Sequence, residues 1–276
     1  MTQSSLRSNS KPEARNTKKM IQTKQQGHIL LIEINRPEKY NAFTKRMLDD
    51  LGKAYTELEE NSDLWCGLVY ANGKHFSAGL DLADVSPYVL RGEPMIQAGL
   101  IDPFQTDGIY RKKPIVMAMQ GYAFTLSIEL ALAADIIIAA KNTTFTQLEV
   151  GRGIMPFGGA TVRFAQRCGW GNAMRYLLTG DKFGAAEALR IGLIQEVCET
   201  AESTFETALK IATTISEQAP LAVQASLQNA RKAFVEGETE ALKDLIPIAR
   251  ELMQTKDAKE GLQSFVERRK AKFIGK

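Results

Sequence analysis

Two glutamates stand where a carboxylate needs a reason. Glu129 lies inside residues 115–140, the most apolar stretch of the chain, with Gln120 and Asp135 as its only strongly polar companions. An ionised, unpaired carboxylate in such surroundings is costly. Glu129 must therefore pair with an arginine, cap a helix or do chemistry. Glu149 follows in Phe145-Thr146-Gln147-Leu148-Glu149-Val150-Gly151 and by itself reads more readily as a surface residue at a strand end. As a pair the two gain meaning, because one carboxyl can stay protonated while the other is ionised, supplying an acid and a base. Glycines add a third ingredient. Gly79, in Phe76-Ser77-Ala78-Gly79-Leu80-Asp81, and Gly121, among small neighbours, can bring backbone N–H groups close to a ligand. Such donors stabilise negative charge developing on a carbonyl oxygen, although an isolated Ala-Gly-x-Asp is also an ordinary turn. The later Gly151, Gly153, Gly158 and Gly159 around Pro156 read as a turn opening a helix at Ala160. They match neither the P-loop nor the dinucleotide-binding pattern.

The elements that must position these groups are legible in outline. Ile29 to Ile34 reads as a strand ended by Arg36-Pro37, and Thr44 as the N-cap of a helix carrying Met47, Leu48, Leu51, Ala54, Tyr55 and Leu58. Leu64 to Ala71 reads as a second strand closed by Asn72-Gly73. Strand, helix and strand in quick succession favour an α/β layout. Residues 85–110, interrupted by Pro87, Gly92, Pro94, Pro103 and Gly108, read as irregular, the form of a lid or substrate loop. The apolar stretch 115–140 is long enough for a membrane span. Its two carboxylates, Gly121 and the β-branched Ile136-Ile137-Ile138 argue instead for strand, turn, buried helix and strand. From Ala201 the pattern is helical, interrupted at Pro220, with further candidates over residues 221–234, 239–253 and 258–273.

Composition excludes several alternatives. Only two histidines, His28 and His75, and three cysteines, Cys66, Cys168 and Cys198, occur in 276 residues. A histidine-rich zinc site, a CxxC pair and a disulfide framework are therefore out of reach, and a reducing compartment suits the cysteine count. The net charge of +3 is unevenly spread: residues 1–27 carry +5, leaving −2 for the rest. That segment, rich in Ser, Thr, Asn, Gln and Lys, reads as a disordered basic tail. The expected organisation is this tail, a core over 28–200 and a helical region over 201–276. The expected location is cytoplasmic, or the mitochondrial matrix if the tail is a transit peptide.

Taken together, the segments resemble the enoyl-CoA hydratase/isomerase, or crotonase, family over residues 28–276. The matching pieces are Asn35-Arg36-Pro37 with Asn41-Ala42, His75 to Leu82, Gly121-Tyr122-Ala123, Glu129-Leu130-Ala131, Ala134-Asp135-Ile136 and Phe145 to Gly159. Leu178-Thr179-Gly180-Asp181 and Ala185-Ala186-Glu187-Ala188 with Gly192-Leu193 complete the series. The resemblance implies an α/β fold, a crotonase-like spiral of ββα units, with a C-terminal helical trimerisation region whose trimers pair into hexamers. It implies an acyl-CoA thioester as substrate and no metal or redox cofactor, CoA being part of the substrate. The oxyanion hole maps onto the backbone N–H groups of Leu80 and Leu126. The two glutamates of hydratases map onto Glu129, holding the water, and Glu149, the acid at Cα. Lys39, Tyr40, Ala78, Asp81 and Leu82 map to CoA contacts, and Phe265 and Arg268 to the CoA of a neighbouring subunit.

Two departures stand out. Where the family has a glycine-rich run, this chain has Phe124-Thr125-Leu126-Ser127. A backbone donor survives the change, but the added side chains narrow the acyl pocket. After Pro156 the order is Phe157-Gly158-Gly159-Ala160 rather than glycine directly following proline. Hydration of a 2-enoyl-CoA is the expected reaction, with double-bond isomerisation through Glu149 alone as the rival within the family. A serine-peptidase reading fails for want of a serine–acid partner set at either histidine. A non-catalytic acyl-CoA- or RNA-binding protein is the rival outside catalysis. It predicts RNA binding with a steep salt dependence, lost on removal of residues 1–27. Salt-independent or undetectable binding removes it.

Overall fold

The first two strands form a hairpin that the polar sequence conceals. In the computed structural model, which describes residues 19–276, β1 (Ile21–Gln26) pairs antiparallel with β2 (Ile29–Ile34) from Ile21↔Ile34 to Gln26↔Ile29. Gly27, at φ +57°, turns the connection. The expected tail over 1–27 is thus corrected for residues 21–26, and its remainder, residues 1–18, lies outside the described residues. The physical reason is that β1 is an edge strand: beyond Ile21 its side chains are largely exposed, so hydrophobic periodicity says nothing. A truncation testing the tail should accordingly spare β1.

The chain continues through α1 (Lys45–Glu60), β3 (Cys66–Ala71) and α2 (Leu82–Leu90). Then come β4 (Ile115–Met119), β5 (Tyr122–Phe124), α3 (Leu126–Ala133), β6 (Ile136–Ala140) and β7 (Thr144–Thr146). After α4 (Ala160–Cys168), α5 (Trp170–Thr179), β8 (Phe183–Gly184), α6 (Ala185–Arg190) and β9 (Glu196–Cys198), five helices close the chain. These are α7 (Ala201–Ser216), α8 (Pro220–Glu236), α9 (Glu238–Lys243), α10 (Leu245–Leu252) and α11 (Lys256–Glu267).

The strands form two layers, and successive turns of the chain feed both. A six-stranded sheet runs β1-β2-β3-β4-β6-β9, parallel after the first pair, and a smaller sheet runs β5-β7-β8. Thus β4 enters the large sheet and β5 the small one before α3, and β6 and β7 repeat the order. Isolated bridges Phe43↔Leu80 and Ser77↔Ala123 extend the inner layer toward the loop after β3. Central strands are apolar on both faces, as parallel strands covered on two sides must be. Leu30, Ile32 and Ile34 of β2 face the main core with α1, while Ile29 and Leu31 face Ala208 and Ala212 of α7. Thr44 caps α1 by accepting from the Met47 N–H at 3.2 Å. No helix among the described residues is long and apolar enough to cross a membrane.

Three expectations change in detail. Residues 82–90 form α2 despite Pro87, in a region read as irregular from residue 85. Pro220 opens α8 as its first residue, where a missing N–H costs nothing. The single helix expected over 239–253 is two, broken at Asp244, because Pro247 cannot donate to the Lys243 carbonyl one turn earlier.

Asp135 ties the layers to the C-terminal region. Its carboxylate accepts from Arg111 at 2.8 Å, from Arg231 of α8 at 2.8 Å and from the Ile115 N–H at 2.7 Å. Burial alone would raise its pKa, but the two guanidiniums and the amide hold it below the usual carboxylate range. Removing one member of such a network strands the others. Asp135→Ala is expected to cost about 3 kcal/mol of unfolding free energy, read as a lower urea midpoint; an unchanged midpoint would show that the network is energetically idle.

Candidate active site

Glu129 sits on α3, a helix whose every residue is buried, and is itself 2% exposed. The helix-cap reading of this residue is realised: Oε1 accepts from the Gly158 N–H at 2.7 Å and the Ala160 N–H at 3.1 Å, at the start of α4. Oε2 takes no hydrogen bond among the described residues. Nor is it sealed in, since Arg111 Nε is the one sealed, unpartnered side-chain polar atom there. One oxygen thus holds the fold and the other is left without a hydrogen bond among the described residues. Burial raises the Glu129 pKa, against the lowering effects of the Ala160 and Gly158 amides and the Arg163 charge.

Glu149 follows β7 and opens a short helical turn at Val150–Arg152, where its carbonyl accepts from the Arg152 N–H at 2.8 Å and the Ile154 N–H at 3.2 Å. It is 7% exposed, so the surface reading of this residue is corrected. Gln147, fully buried, places its side-chain amide 3.2 Å from the Thr125 carbonyl and from both Glu149 oxygens, and all three are satisfied as acceptors when the amide is oriented with its nitrogen toward them. Burial pushes the Glu149 carboxyl up to about 7; its own backbone N–H pulls the other way, and the neighbouring Glu129 charge raises it further. The two glutamates therefore share one electrostatic site, with raised pKa values on both.

The backbone amides of Leu80 and Leu126 complete the arrangement. Neither N–H donates to any acceptor among the described residues, whereas the flanking Gly79 and Asp81 amides are engaged. Leu126 opens α3, so its N–H is one of the unpaired donors every helix start presents. Its direction is set by Thr125, held at φ +50°, ψ −114°, a conformation foreign to β-branched residues. The Thr125 N–H donates to the Thr146 carbonyl at 2.8 Å, and its carbonyl accepts from Ile128 at 2.8 Å and Glu129 at 3.3 Å. Gly79, at φ +95°, lies directly against this turn: a Cβ there would collide with Thr125 Oγ1. The two amide-bearing segments thus pack on one another, and only glycine permits it.

Among the residues assigned to CoA, Ala78 and Tyr40 are joined by an N–H···O bond of 2.9 Å, with Lys39 preceding and Tyr40 exposed. Asp81 pairs with Arg36 at 3.0 Å at the start of α2, beside the half-exposed Leu82. These five therefore flank the Leu80 amide. Phe265, 82% exposed, and Arg268, in the left-handed region at the end of α11, share no hydrogen bond with that cluster. The sequence marks Thr125 only as part of the run that replaces glycines and gives Gln147 and Arg163 no role. Arg163 donates to the Phe104 carbonyl at 2.6 Å and to the Gln105 carbonyl, joining α4 to the segment before β4. Only the strand-end position of Gln147 beside Glu149 gave any signal.

A buried carboxylate pair and two unengaged backbone amides thus lie on two strand layers wound with helices, the arrangement of a spiral α/β fold. The enoyl-CoA hydratase/isomerase family model matches residues 24–276. The short-chain-enoyl-CoA hydratase of Clostridium acetobutylicum is 31% identical over 252 residues, 89% of this chain and 94% of its own. The mevalonyl-coenzyme A hydratase sidH of Aspergillus fumigatus is 31% identical, covering 89% of this chain and 91% of its own. Among solved structures, a probable enoyl-CoA hydratase/isomerase from Mycobacterium abscessus superposes with a TM-score of 0.90 at 48% identity, covering 93% of this chain and 99% of that one. The chain belongs to the enoyl-CoA hydratase/isomerase family and has the crotonase fold.

The raised Glu149 pKa has a stability consequence whose sign is fixed. An acid with a folded pKa of about 7, above its unfolded value, favours the fold at low pH and loses that contribution as pH rises through 7. Glu149→Gln removes the loss. It is expected to raise unfolding free energy at pH 8 by on the order of 2–3 kcal/mol, and by little at pH 5. Equal effects at both pH values would place the Glu149 pKa elsewhere.

Proposed function

We propose that this chain is an enoyl-CoA hydratase, adding water across the double bond of a 2-enoyl-CoA thioester to give a 3-hydroxyacyl-CoA. The observation that carries this reading is the pairing of Glu129 and Glu149 beside the unengaged Leu80 and Leu126 amides. In this reading the two N–H groups bind the thioester oxygen and draw electron density from Cβ. Removing one such donor typically costs about 2.7–4 kcal/mol of barrier. Water on Glu129 Oε2 attacks Cβ and releases its proton to the carboxylate. Glu149, protonated below about pH 7, delivers a proton to Cα. One water is consumed, and the carboxylate pair ends with the protons it began with. Bacterial and fungal relatives named as hydratases support the assignment.

Isomerisation is the second reading, favoured by one observation: Glu149 with its pKa near 7 could alone carry a proton between Cα and Cγ. Glu129 separates the two. Glutamine at 129 keeps an oxygen to accept from Gly158 and Ala160, so the α4 cap survives while the base is lost. Hydration followed by loss of the conjugated enoyl-thioester absorbance is expected to fall by about 10²–10⁴ in Glu129→Gln, and the wild-type rate to decline above about pH 7. Full activity in Glu129→Gln, or no conversion of any 2-enoyl-CoA by wild type, overturns the hydratase reading.

A further inference from the structure

Thr125 brings a hydroxyl where glycine would bring none. At ψ −114° an L residue turns its Cβ almost into the plane of the following peptide, and a trans peptide carries its N–H on that same side. The Thr125 Cβ therefore stands beside the Leu126 N–H. The same side chain meets Gly79: a Cβ built there would lie 3.2 Å from Thr125 Cβ and would collide with Oγ1. Gly79 is bonded to Leu80, which carries the other unengaged amide. One hydroxyl thus adjoins both segments that present an N–H to the thioester oxygen.

That hydroxyl is uncommitted. It shares no hydrogen bond with any described residue. Nor is it sealed in: Thr125 is partly exposed, and Arg111 Nε is the one sealed, unpartnered side-chain polar atom among those residues. Neighbouring hydroxyls behave otherwise. Ser77 Oγ donates to the Asn41 carbonyl at 2.8 Å and accepts from the Gly79 N–H at 3.0 Å. Ser127 Oγ donates to the Ser77 carbonyl at 3.1 Å, and Thr146 Oγ1 to the Gly180 carbonyl at 2.8 Å. The Gly79 carbonyl already accepts from Phe43 at 2.8 Å, and the Thr125 carbonyl from Ile128 and Glu129. Of these four hydroxyls only that of Thr125 keeps a proton to give. Its branched side chain is stiff at χ1, and its backbone is pinned by the Thr146 carbonyl, so the group is held in place.

We infer that the Thr125 hydroxyl is a third donor to the thioester oxygen, acting with the Leu80 and Leu126 amides. The inference rests on the hydratase reading for the reaction, but polarisation of the carbonyl can be read without turnover. A donor there strengthens as negative charge grows on the oxygen, so its loss falls on kcat more than on KM. Thr125→Val keeps the branched shape and removes the donor. With the 2-enoyl-CoA that wild type hydrates fastest, it is expected to lower kcat by about 10²-fold and leave KM nearly unchanged. Thr125→Ser, which restores a hydroxyl, is expected to recover most of that loss. In infrared difference spectra the thioester carbonyl stretch of bound butyryl-CoA is expected to move to higher frequency in Thr125→Val and to return in Thr125→Ser. Wild-type kcat in a folded Thr125→Val, or an equal loss in Thr125→Ser, overturns the third donor and leaves the hydratase reading standing. If wild type hydrates no 2-enoyl-CoA, that reading fails and the carbonyl stretch decides. An unchanged frequency in Thr125→Val then overturns the donor, and a shift reversed by serine upholds it. Should Thr125→Val not fold, Thr125→Gly relieves the positive φ and removes the same hydroxyl. Wild-type kcat and carbonyl frequency in that variant overturn the proposal alone.

Discussion

The carboxylate of Glu129 is the interaction on which the site depends. It is buried, and its Oε1 is the acceptor for two amides at the start of α4. A helix start leaves four N–H groups unpaired, and ordinarily a local Ser, Thr or Asp side chain answers them. Here Gly159 is the N-cap and has no side chain to offer. The acceptor comes instead from α3, about thirty residues earlier. A single carboxylate therefore joins two helices and fixes the distance between the segment carrying the Leu126 amide and the segment carrying Gly158. That double duty explains how the protein keeps a buried, partly unpartnered acid: the two amide hydrogen bonds on Oε1 offset part of the desolvation, which still dominates and raises the pKa.

The second constraint is Thr125. Its backbone conformation is one that glycine adopts freely and a β-branched residue does not, so it persists only because its surroundings over-determine it. The Thr146 carbonyl, the α3 amides and Gln147 all hold it, and Gln147 reaches Glu149 in the same gesture. Strain at Thr125, the direction of the Leu126 N–H and the environment of Glu149 are consequently one structural fact. The site is preorganised through its backbone, and the side chains follow.

The legible part of this design was the part that violates a local rule. Glu129 announced itself because an acid in an apolar run is anomalous whatever the fold, and the strand–turn–helix–strand order around it followed from apolar patterning. The expected oxyanion donors fall on two amides that are unengaged, but that mapping came through resemblance, since nothing in a leucine side chain marks its own N–H. The hidden parts obey no such contrast. β1 is polar because it is an edge, so it imitates a tail. Thr125 conceals a turn that glycine would have advertised. Arg163 and Gln147 matter only through partners distant in sequence, Phe104, Gln105 and Thr125 among them, and no periodicity encodes those.

The segment between α2 and β4 shows why the helical C-terminal region cannot be regarded as an appendage. Arg163, on the helix that Glu129 caps, holds the Phe104 and Gln105 carbonyls. The Gln105 side chain in turn accepts from the Arg111 N–H at 3.0 Å, and the Arg111 carbonyl accepts from Arg231 of α8 at 2.7 Å. Arg111 and Arg231 then share Asp135, at the start of the strand that follows α3. The path closes on itself: α3 to α4 through a carboxylate, α4 to the segment through a guanidinium, the segment to α8 and back to α3 through Asp135. Arg111 Nε is left without a partner among the described residues, while the other two guanidinium nitrogens of Arg111 donate to the Lys113 and Ala133 carbonyls and to Asp135. Movement of α8 must therefore displace the segment or break a buried charge pair. The geometry at Glu129 is in this way a property of the whole chain, including helices that contribute no atom to it.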